Sequence, residues 1–590
     1  MTTTPDRSRV VGDIPGPRQE IVEPRERAPE VPRVLTNLRH GGHVAADDVP
    51  QVDPGRRSET GMRWVEVEET STPFGYMFRD LQGLYPAAHL PLEPSAAVVA
   101  SLKALGAAMV DQPNDPADAN STVPPIYTYW GQFVDHDLTA NTDRDEDISI
   151  TDLPLHPLQP EKVVRKLRNL REPRLNLDSV YGNGPDASGL PEQVPYEGEH
   201  KERLTIGPLA EGRPDKLTGN DLPREGQKAL IGDGRNDENL VVAQLHLSFL
   251  KFHNAVIDWF ATNKGSEAAG DGSFTRARQL VEWHYQWVTV HDFLKRIADE
   301  DVVNGLLDGS IPPRLELDAT TAPDKVFMPL EFSIAAYRFG HSMVRGAYDW
   351  NANFGAPGNR APSATFELLF IFTGKAARPF FGAQTLPFNW PAQFERFTGA
   401  EARPAEPGPD GQPDPVPPRF ARRIDTRIAP PLADLFNVGN NEVSGRIERL
   451  LKRLAVRNLL RGYRLAIPTG QAVARSLGIE PLTREELLSV PGVEGPAPSP
   501  VGDALIDGDF LETTPLWFYV LKEAEVLREG NRLGPVGSRI VVETIIGQLR
   551  ADPTSFLNRD WDPSNGVTVG ADGRQVDSII SFLQFAGMHP

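Results

Sequence analysis

The densest chemistry in the chain lies between Pro124 and Thr139, in PPIYTYWGQFVDHDLT. Six residues there hold an imidazole (His136), a carboxamide (Gln132) and carboxylates at Asp135 and Asp137. Ser121 and Thr122 offer capping oxygens, and Pro124 and Pro125 suit a first turn, so the pattern predicts a helix starting here. Residues four apart share a helix face, which aligns Gln132 with His136 and turns Asp137 roughly 100° away. Groups of this kind are costly to bury unless each meets a partner. The rest of the chain has to supply those partners.

Candidates lie downstream. In REPRLNLDSVYGNGP (Arg171–Pro185), Asn176 and Asp178 alternate, and Gly182, Asn183 and Gly184 mark a turn. Alternate oxygen-bearing side chains on an irregular loop suit a hard cation such as Ca²⁺, whereas an Asx-turn before a hairpin explains the same spacing without one. GDGRNDENL (Gly232–Leu240) leads into an amphipathic helix, and Arg235 and Glu238 sit three apart at its entrance, as in a surface ion pair or a cap. His246 and His253, then His284 and His291, repeat at seven and read as core or helix-packing residues. Met328–Trp350 predicts a helix with Pro329 in its first turn and Ile334, Arg338 and His341 on one stripe. In Gly445–Pro468, Asn458 and Arg461 interrupt an apolar face, and an asparagine buried there needs a partner.

The elements that must position these groups are helical. Residues 93–110 read as a helix with Ala, Val and Leu on one stripe, and further helices follow through to the C-terminal SIISFLQFAGMHP. Strand signals are few, and the fold class expected is mainly α. Residues 1–72 read as an extended or partly disordered arm, the body as starting near Phe74, and residues 401–418 as a Pro-rich surface insertion. A net charge of -20 over 590 residues argues against nucleic acid or anionic lipid as partner. Without cysteine there is no disulfide, thiolate metal site or cysteine nucleophile. The N-terminus lacks a basic-then-apolar signal pattern and no apolar run approaches the ~18 residues of a membrane helix, so a cytoplasmic location without membrane insertion is the default expectation.

Four of these segments, in order over roughly residues 74–590, resemble the peroxidase–cyclooxygenase superfamily, the animal-type haem peroxidases, in a bacterial-looking version without disulfides. GQFVDHDLT is similar to the distal-histidine motif and GRNDEN to the catalytic-arginine motif. YRFGHS is similar to the proximal-histidine motif and RNLLRGYRLAIP to the proximal-asparagine segment. The resemblance implies a helical haem-peroxidase fold of the animal, myeloperoxidase-like type with little β, as one domain over residues 73–590, and a haem b between the helices of His136 and His341. His341 would be the axial ligand. Asn458 would accept a hydrogen bond from its other ring nitrogen, Arg461 would lie near a propionate, and Arg338 would also face the cofactor.

On the opposite side the resemblance implies that His136 takes a proton from H₂O₂ and returns it to the leaving oxygen. Arg235 would stabilise charge developing as the O–O bond breaks, and Gln132 would hold a water and influence halide access. An oxo-ferryl haem would then oxidise a small reducing substrate. Asp135 and Glu238 match carboxylates that form ester bonds to haem methyl groups in many relatives, although helix capping would also account for them. Asp137, Asn176, Asp178, the carbonyl of Arg174 and a residue around Glu172 would hold Ca²⁺ and so fix the orientation of His136. Asn239 departs from relatives that carry a methionine there, which makes chloride a poorer donor than bromide, iodide, thiocyanate or organic molecules. Dioxygenases of the superfamily use a tyrosine three residues before the proximal histidine. That position is Arg338 here, and Tyr337 is expected on a different face. A fatty-acid dioxygenase and a haem-binding protein without turnover are the alternatives.

Overall fold

The structure, a computed structural model, describes residues 72–590 apart from 112–118, 143–149, 151–153, 183, 186–193, 210–218, 227, 264–271, 352–363, 372, 374–390, 400–405, 408–412, 415–418, 436–449, 451 and 494–496. The expected arm therefore lies outside the described residues up to position 71, as does most of the 401–418 insertion. Helices carry the fold and the strands are two to four residues long, so the chain is mainly α. One short sheet holds three of the chemically interesting segments together. Its strands β1 (Thr72–Gly75), β2 (Asn141–Thr142), β3 (Arg168–Asn169) and β4 (Met328–Pro329) lie in the order β2-β3-β1-β4. β1 runs antiparallel to β3 and parallel to β4, with Phe74 opposite Met328. β2 leaves the His136 helix, β3 enters the Arg171 loop, and β4 enters the His341 segment.

The helix Ser95–Ala108 (α1) packs on Leu454–Arg464, and Gly106 makes the close approach possible. A Cβ at Gly106 would lie 2.8 Å from the Val456 nitrogen. The His136 helix, α2, spans Pro125–Leu138 with Pro125 in its first turn as expected, but it is capped differently from the expectation. Its N-cap is Pro124, without a capping side chain, and the amide of Ile126 donates to the Phe397 carbonyl at 3.0 Å. Ser121 Oγ instead accepts from the amide of Val123 in the preceding turn. An orphan amide at a helix start needs some acceptor, and here the fold supplies it. At the other end Asn169 donates to the Leu138 carbonyl and accepts from the Ala140 amide, closing α2 onto β3.

Helix α3 (Leu240–Asn263) lies against α2, with Phe133 stacked on Phe249 at a centroid distance of 4.3 Å. It is long and apolar enough to cross a membrane, which corrects the expectation that no such run exists, but 83% of its most apolar window is buried in the protein. A helix apolar on all sides is what a core position requires. On α4 (Ser273–Val288), His284 donates from Nδ1 to the Val576 carbonyl and accepts at Nε2 from the Val567 amide. Both ring nitrogens are committed to the neutral form, and burial pulls His284 down to about 3. His253 on α3 is similarly placed between Glu202 and Tyr181, so these two are core residues as expected.

This burial sets a pH dependence. The unfolded chain protonates near pH ~6.5 while folded His284 stays neutral, so its contribution is present above that value and is lost as pH falls. Stability should drop by ~1.4 kcal/mol per pH unit for this residue between about pH 5.5 and 3.5. His284→Gln is expected to flatten the measured stability–pH slope by that amount, and an unchanged slope would show that the ring titrates freely.

The segment Met328–Trp350 is not one helix. β4 is followed by a π-helical turn at Glu331–Ala335, a 3₁₀ turn at Ala336–Phe339 and a short α-helix, α5 (Gly340–Met343), after which Val344 is extended. The break falls at Ala335, whose backbone (φ -124°, ψ -79°) leaves the helical region. Pro329 pairs in the sheet instead of starting a turn. The irregular stretch is held from outside: Glu331 accepts the amides of Met77 and Phe78, and Trp517 Nε1 of α7 (Leu516–Arg528) donates to the Arg338 carbonyl. The helix Leu454–Arg464, numbered α6, carries Asn458 and Arg461, both buried, toward α5. Non-α turns inside helices often mark functional positions.

Candidate active site

A cavity lies between α2 and α5. Gln132 and Asp135 line one side with Glu238 and Asn239, and Arg338, Gly340 and His341 line the other, with Phe366, Phe370 and Leu432 among its apolar walls. Gln132 donates to Glu238 Oε1 at 2.6 Å and accepts from Asn239 Nδ2 at 3.2 Å. Asp135 accepts from Thr139 Oγ1 at 2.9 Å. Both carboxylates matched to ester positions thus face the same space.

Asn239 has a second task. Its Oδ1 accepts from the Val242 amide and its carbonyl from the Ala243 amide, so it is the N-cap of α3. Of the two bonds only the one to the Val242 amide uses the side chain, and a methionine thioether there could not accept it well. Asn239→Ala is expected to lower stability by ~1 kcal/mol and to release Gln132, measured by denaturant unfolding. No loss of stability would exclude the cap.

His136 and Arg235 lie behind this wall and do not line the cavity. His136, fully buried, donates from Nδ1 to Asn236 Oδ1 at 2.8 Å. Arg235 donates from Nη2 to the His136 carbonyl at 2.7 Å and grips Asp233 through Nε, Nη2 and its backbone amide. Burial opposes the Asp233 charge, but Arg235 and then Arg171 hold its carboxyl far below the usual range. Arg171 bridges Asp233 to Asp178, so a buried chain of alternating charges runs from the loop to Arg235.

Across the cavity, Asn458 Nδ2 lies 3.0 Å from His341 Nδ1, while Asn458 Oδ1 accepts from Arg338 Nη1 at 3.1 Å. The partners are those expected, but the polarity is reversed. A guanidinium can only donate, so it takes the amide oxygen and turns the amide nitrogen to the ring. Arg461 lies close by with Arg457, which sequence reasoning missed. Burial pulls Arg461 and Arg457 down to about 9, with Arg338 and Arg461 adding repulsion at Arg457; burial and then Arg461 bring Arg338 to about 10. Asp135 favours the charge of Arg338 and Glu238 that of Arg457, so the cavity carboxylates already face this cationic cluster.

The loop residues are only partly brought together. Asp137, fully buried, accepts from the Leu177 amide and the Ser179 hydroxyl, and burial followed by Asp178 pushes its carboxyl up. Asn176 donates to Glu172 and accepts from the Asp178 amide, while the Arg174 carbonyl accepts from Gln286. Leu175 and Leu177 flank Asn176 with φ of 53° and 55°, a region leucine rarely adopts, and both side chains are buried in the core. No group of three His, Asp or Glu side chains that could hold a metal ion occurs among the described residues. An oxygen set for a hard cation would therefore combine Asp137 and Asp178 with neutral oxygens from Asn176 and Ser179.

Tyr337 corrects a further expectation. It lines the same cavity as His341, because residues four apart on a helical stretch share a face. Its hydroxyl is buried and has no hydrogen-bond partner among the described residues. His246 was set aside as packing, yet its Nδ1 accepts from Asn236 Nδ2 at 3.0 Å and so stands one residue from His136. Asn236 and Asp233 flank Arg235 in the sequence, and only the fold shows which of them turns toward α2.

Residues 159–368, which include the Arg171 loop, Arg235, Glu238 and His341, match the family model of the animal haem peroxidases. A peroxidase-like protein from Margaritifera margaritifera is 23% identical over 278 residues, 40% of this chain, and the match spans about a third (33%) of that relative's length. Among solved structures, peroxidase A from Dictyostelium discoideum superposes with a TM-score of 0.50 at 16% identity, over 88% of this chain and 94% of that one. A fatty acid alpha-dioxygenase from Oryza sativa, determined with palmitic acid, superposes with a TM-score of 0.51 at 15% identity, over 92% and 89%. At these identities the two structures share the fold with this chain, and residues 159–368 carry the match to the animal haem peroxidase family.

Proposed function

We propose that the chain is a haem-dependent peroxidase that reduces H₂O₂ and oxidises small organic donors, bromide, iodide or thiocyanate. The observation that carries this reading is the single cavity with Gln132, Asp135 and Glu238 on one side and His341 and Arg338 on the other. These residues fit a flat dianionic cofactor. His341 would ligate the iron, Asp135 and Glu238, which both line the cavity, would be the carboxylates for ester bonds, and Arg338, Arg457 and Arg461 would offer the cationic field that two propionates need. Haem, when bound, would supply the iron redox chemistry that cleaves the peroxide O–O bond.

The chain's own residues would handle protons and charge. With Nδ1 donating to Asn236, His136 keeps a lone pair on Nε2. One turn along α2 from the cavity-lining Gln132, the neutral imidazole would take a proton from peroxide, directly or through a water that Gln132 holds, and later return it. Arg235, fixed by Asp233, presents a cation that needs no rearrangement during the reaction. Gln132, clamped by Glu238 and Asn239, would orient a small molecule beside them. Ca²⁺ at Asp137 and Asp178 would neutralise the carboxylate pair next to His136. The test is the absorption spectrum of protein produced with haem, before and after one equivalent of H₂O₂. A Soret band that changes with peroxide and is restored by a donor supports the reading, and a Soret band indifferent to peroxide overturns it. Haem that stays with the protein through acidic organic extraction would report ester bonds.

Tyr337 favours a second reading, a fatty-acid dioxygenase, since its phenol faces the cavity beside His341. The superposed Oryza sativa enzyme is such a dioxygenase. Oxygen uptake with palmitate that disappears in Tyr337→Phe, while peroxide consumption persists, would establish it. Absence of uptake in the wild type would remove it.

A further inference from the structure

We infer that Asn236 and His246 are positioning residues that set the proton tautomer of His136. The inference rests on the peroxidase reading and deepens it. Three buried side chains from different places in the chain form one relay. His136 Nδ1 lies 2.8 Å from Asn236 Oδ1, and Asn236 Nδ2 lies 3.0 Å from His246 Nδ1. His136, Asn236 and His246 are each fully buried.

The logic follows from donors and acceptors. A carboxamide oxygen only accepts, so a His136 ring facing it carries its proton on Nδ1 and leaves Nε2 as the basic atom. Turned end for end, the same amide would donate to Nδ1 and move the ring proton to Nε2, where it could no longer take a proton. Asn236 alone does not choose between these states, because an amide flips at little cost when nothing holds its nitrogen. His246 makes the choice when its own proton sits on Nε2, because Nδ1 can then only accept, and it accepts from Asn236 Nδ2. Burial keeps His246 neutral, with its ring pulled down to about 3, so the ring always carries a lone pair for this task. Phe133 lies edge-on to the His246 ring at 6.2 Å and helps to hold its plane. His246 Nε2 has no hydrogen-bond partner among the described residues, so nothing on that side competes with the contact to Asn236. A histidine that served only to fill the core would gain nothing from facing an amide, and an apolar residue there would avoid the buried polar nitrogen.

The test uses the full chain with ¹⁵N-labelled histidine, first without haem, reading the ring nitrogens by NMR and assigning His136 by loss of its signal in His136→Gln. The wild type is expected to show Nδ1–H at His136. Asn236→Asp, which also only accepts, should keep that tautomer. Asn236→Leu and His246→Phe should lose it or show a mixture. After haem loading, the latter two should react with peroxide about 10²-fold more slowly, the scale of a misplaced acid–base group, and Asn236→Asp should recover most of the rate. An Nε2–H wild type, or a His246→Phe protein whose His136 tautomer is unchanged, overturns the inference. Because the tautomer is read without cofactor, these outcomes stand apart from any failure of the peroxidase reading itself. Should His246→Phe fail to fold, the contrast between Asn236→Asp and Asn236→Leu still decides whether the acceptor at Asn236 matters.

Discussion

His136→Gln is expected to slow the reaction of haem-loaded protein with H₂O₂ by 10²- to 10⁴-fold, the range a positioned acid–base group contributes, while leaving the Soret band in place. Glutamine nearly matches the imidazole in size and can still donate to Asn236, so α2 and its stack of Phe133 on Phe249 have no reason to move. What it lacks is an atom that can take a proton at neutral pH. Haem retention would depend on other groups, namely His341 and the cluster of Arg338, Arg457 and Arg461, whereas the contacts of His136 described above run to Asn236 and Arg235. Stopped-flow measurement of the peroxide step checks this, and an unimpaired rate would mean that proton transfer is done elsewhere. Arg235→Ala should cost ~10²-fold by the loss of a fixed cation. The remaining Asp233 would still be held by Arg171, so the loss reports the field at the site more than collapse of the loop.

What the sequence could carry was local. His136, Gln132, Glu238, His341 and Asn458 each sit in a short segment with its own pattern, and the structure brings Gln132, Glu238 and His341 to the cavity and Asn458 to His341. What it could not carry was direction. Asn236 and Asp233 are near neighbours of Arg235, yet one turns to His136 on α2 and the other to the guanidiniums of Arg235 and Arg171. Tyr337 is expected on a different face only if its one-residue offset from Arg338 is weighed; its four-residue spacing from His341 brings it to the cavity. The segment Met328–Trp350 changes pitch from π to 3₁₀ to α, under contacts from Met77, Phe78 and Trp517 that are remote in sequence. His246 shows the same limit from the other side: a seven-residue repeat says that a ring is buried, and only a partner 10 residues away says what the ring does there.

The polarity at Asn458 gives the other large expected effect. Here Arg338 takes the amide oxygen and the amide nitrogen faces His341, so the ring nitrogen Nδ1 is an acceptor. An imidazole that ligates iron through Nε2 must carry its proton on Nδ1, and it then needs an acceptor at Asn458. Cofactor binding and the Arg338–Asn458 contact therefore compete for one oxygen. Asn458→Asp removes the competition, because a carboxylate accepts from Arg338 and from the ring at once. It should give the ligand more imidazolate character, stabilise ferric iron and lower the midpoint potential, by about 60 mV for a hydrogen bond worth ~1.4 kcal/mol. Asn458→Leu should shift the potential the other way and also destabilise the protein by ~1.5–3 kcal/mol, since it strips a buried guanidinium of an acceptor. Spectroelectrochemical titration of the three proteins tests the order Asp below Asn below Leu. If the three potentials coincide, the contact between Asn458 and His341 has no hold on the iron, and the role assigned to this asparagine fails.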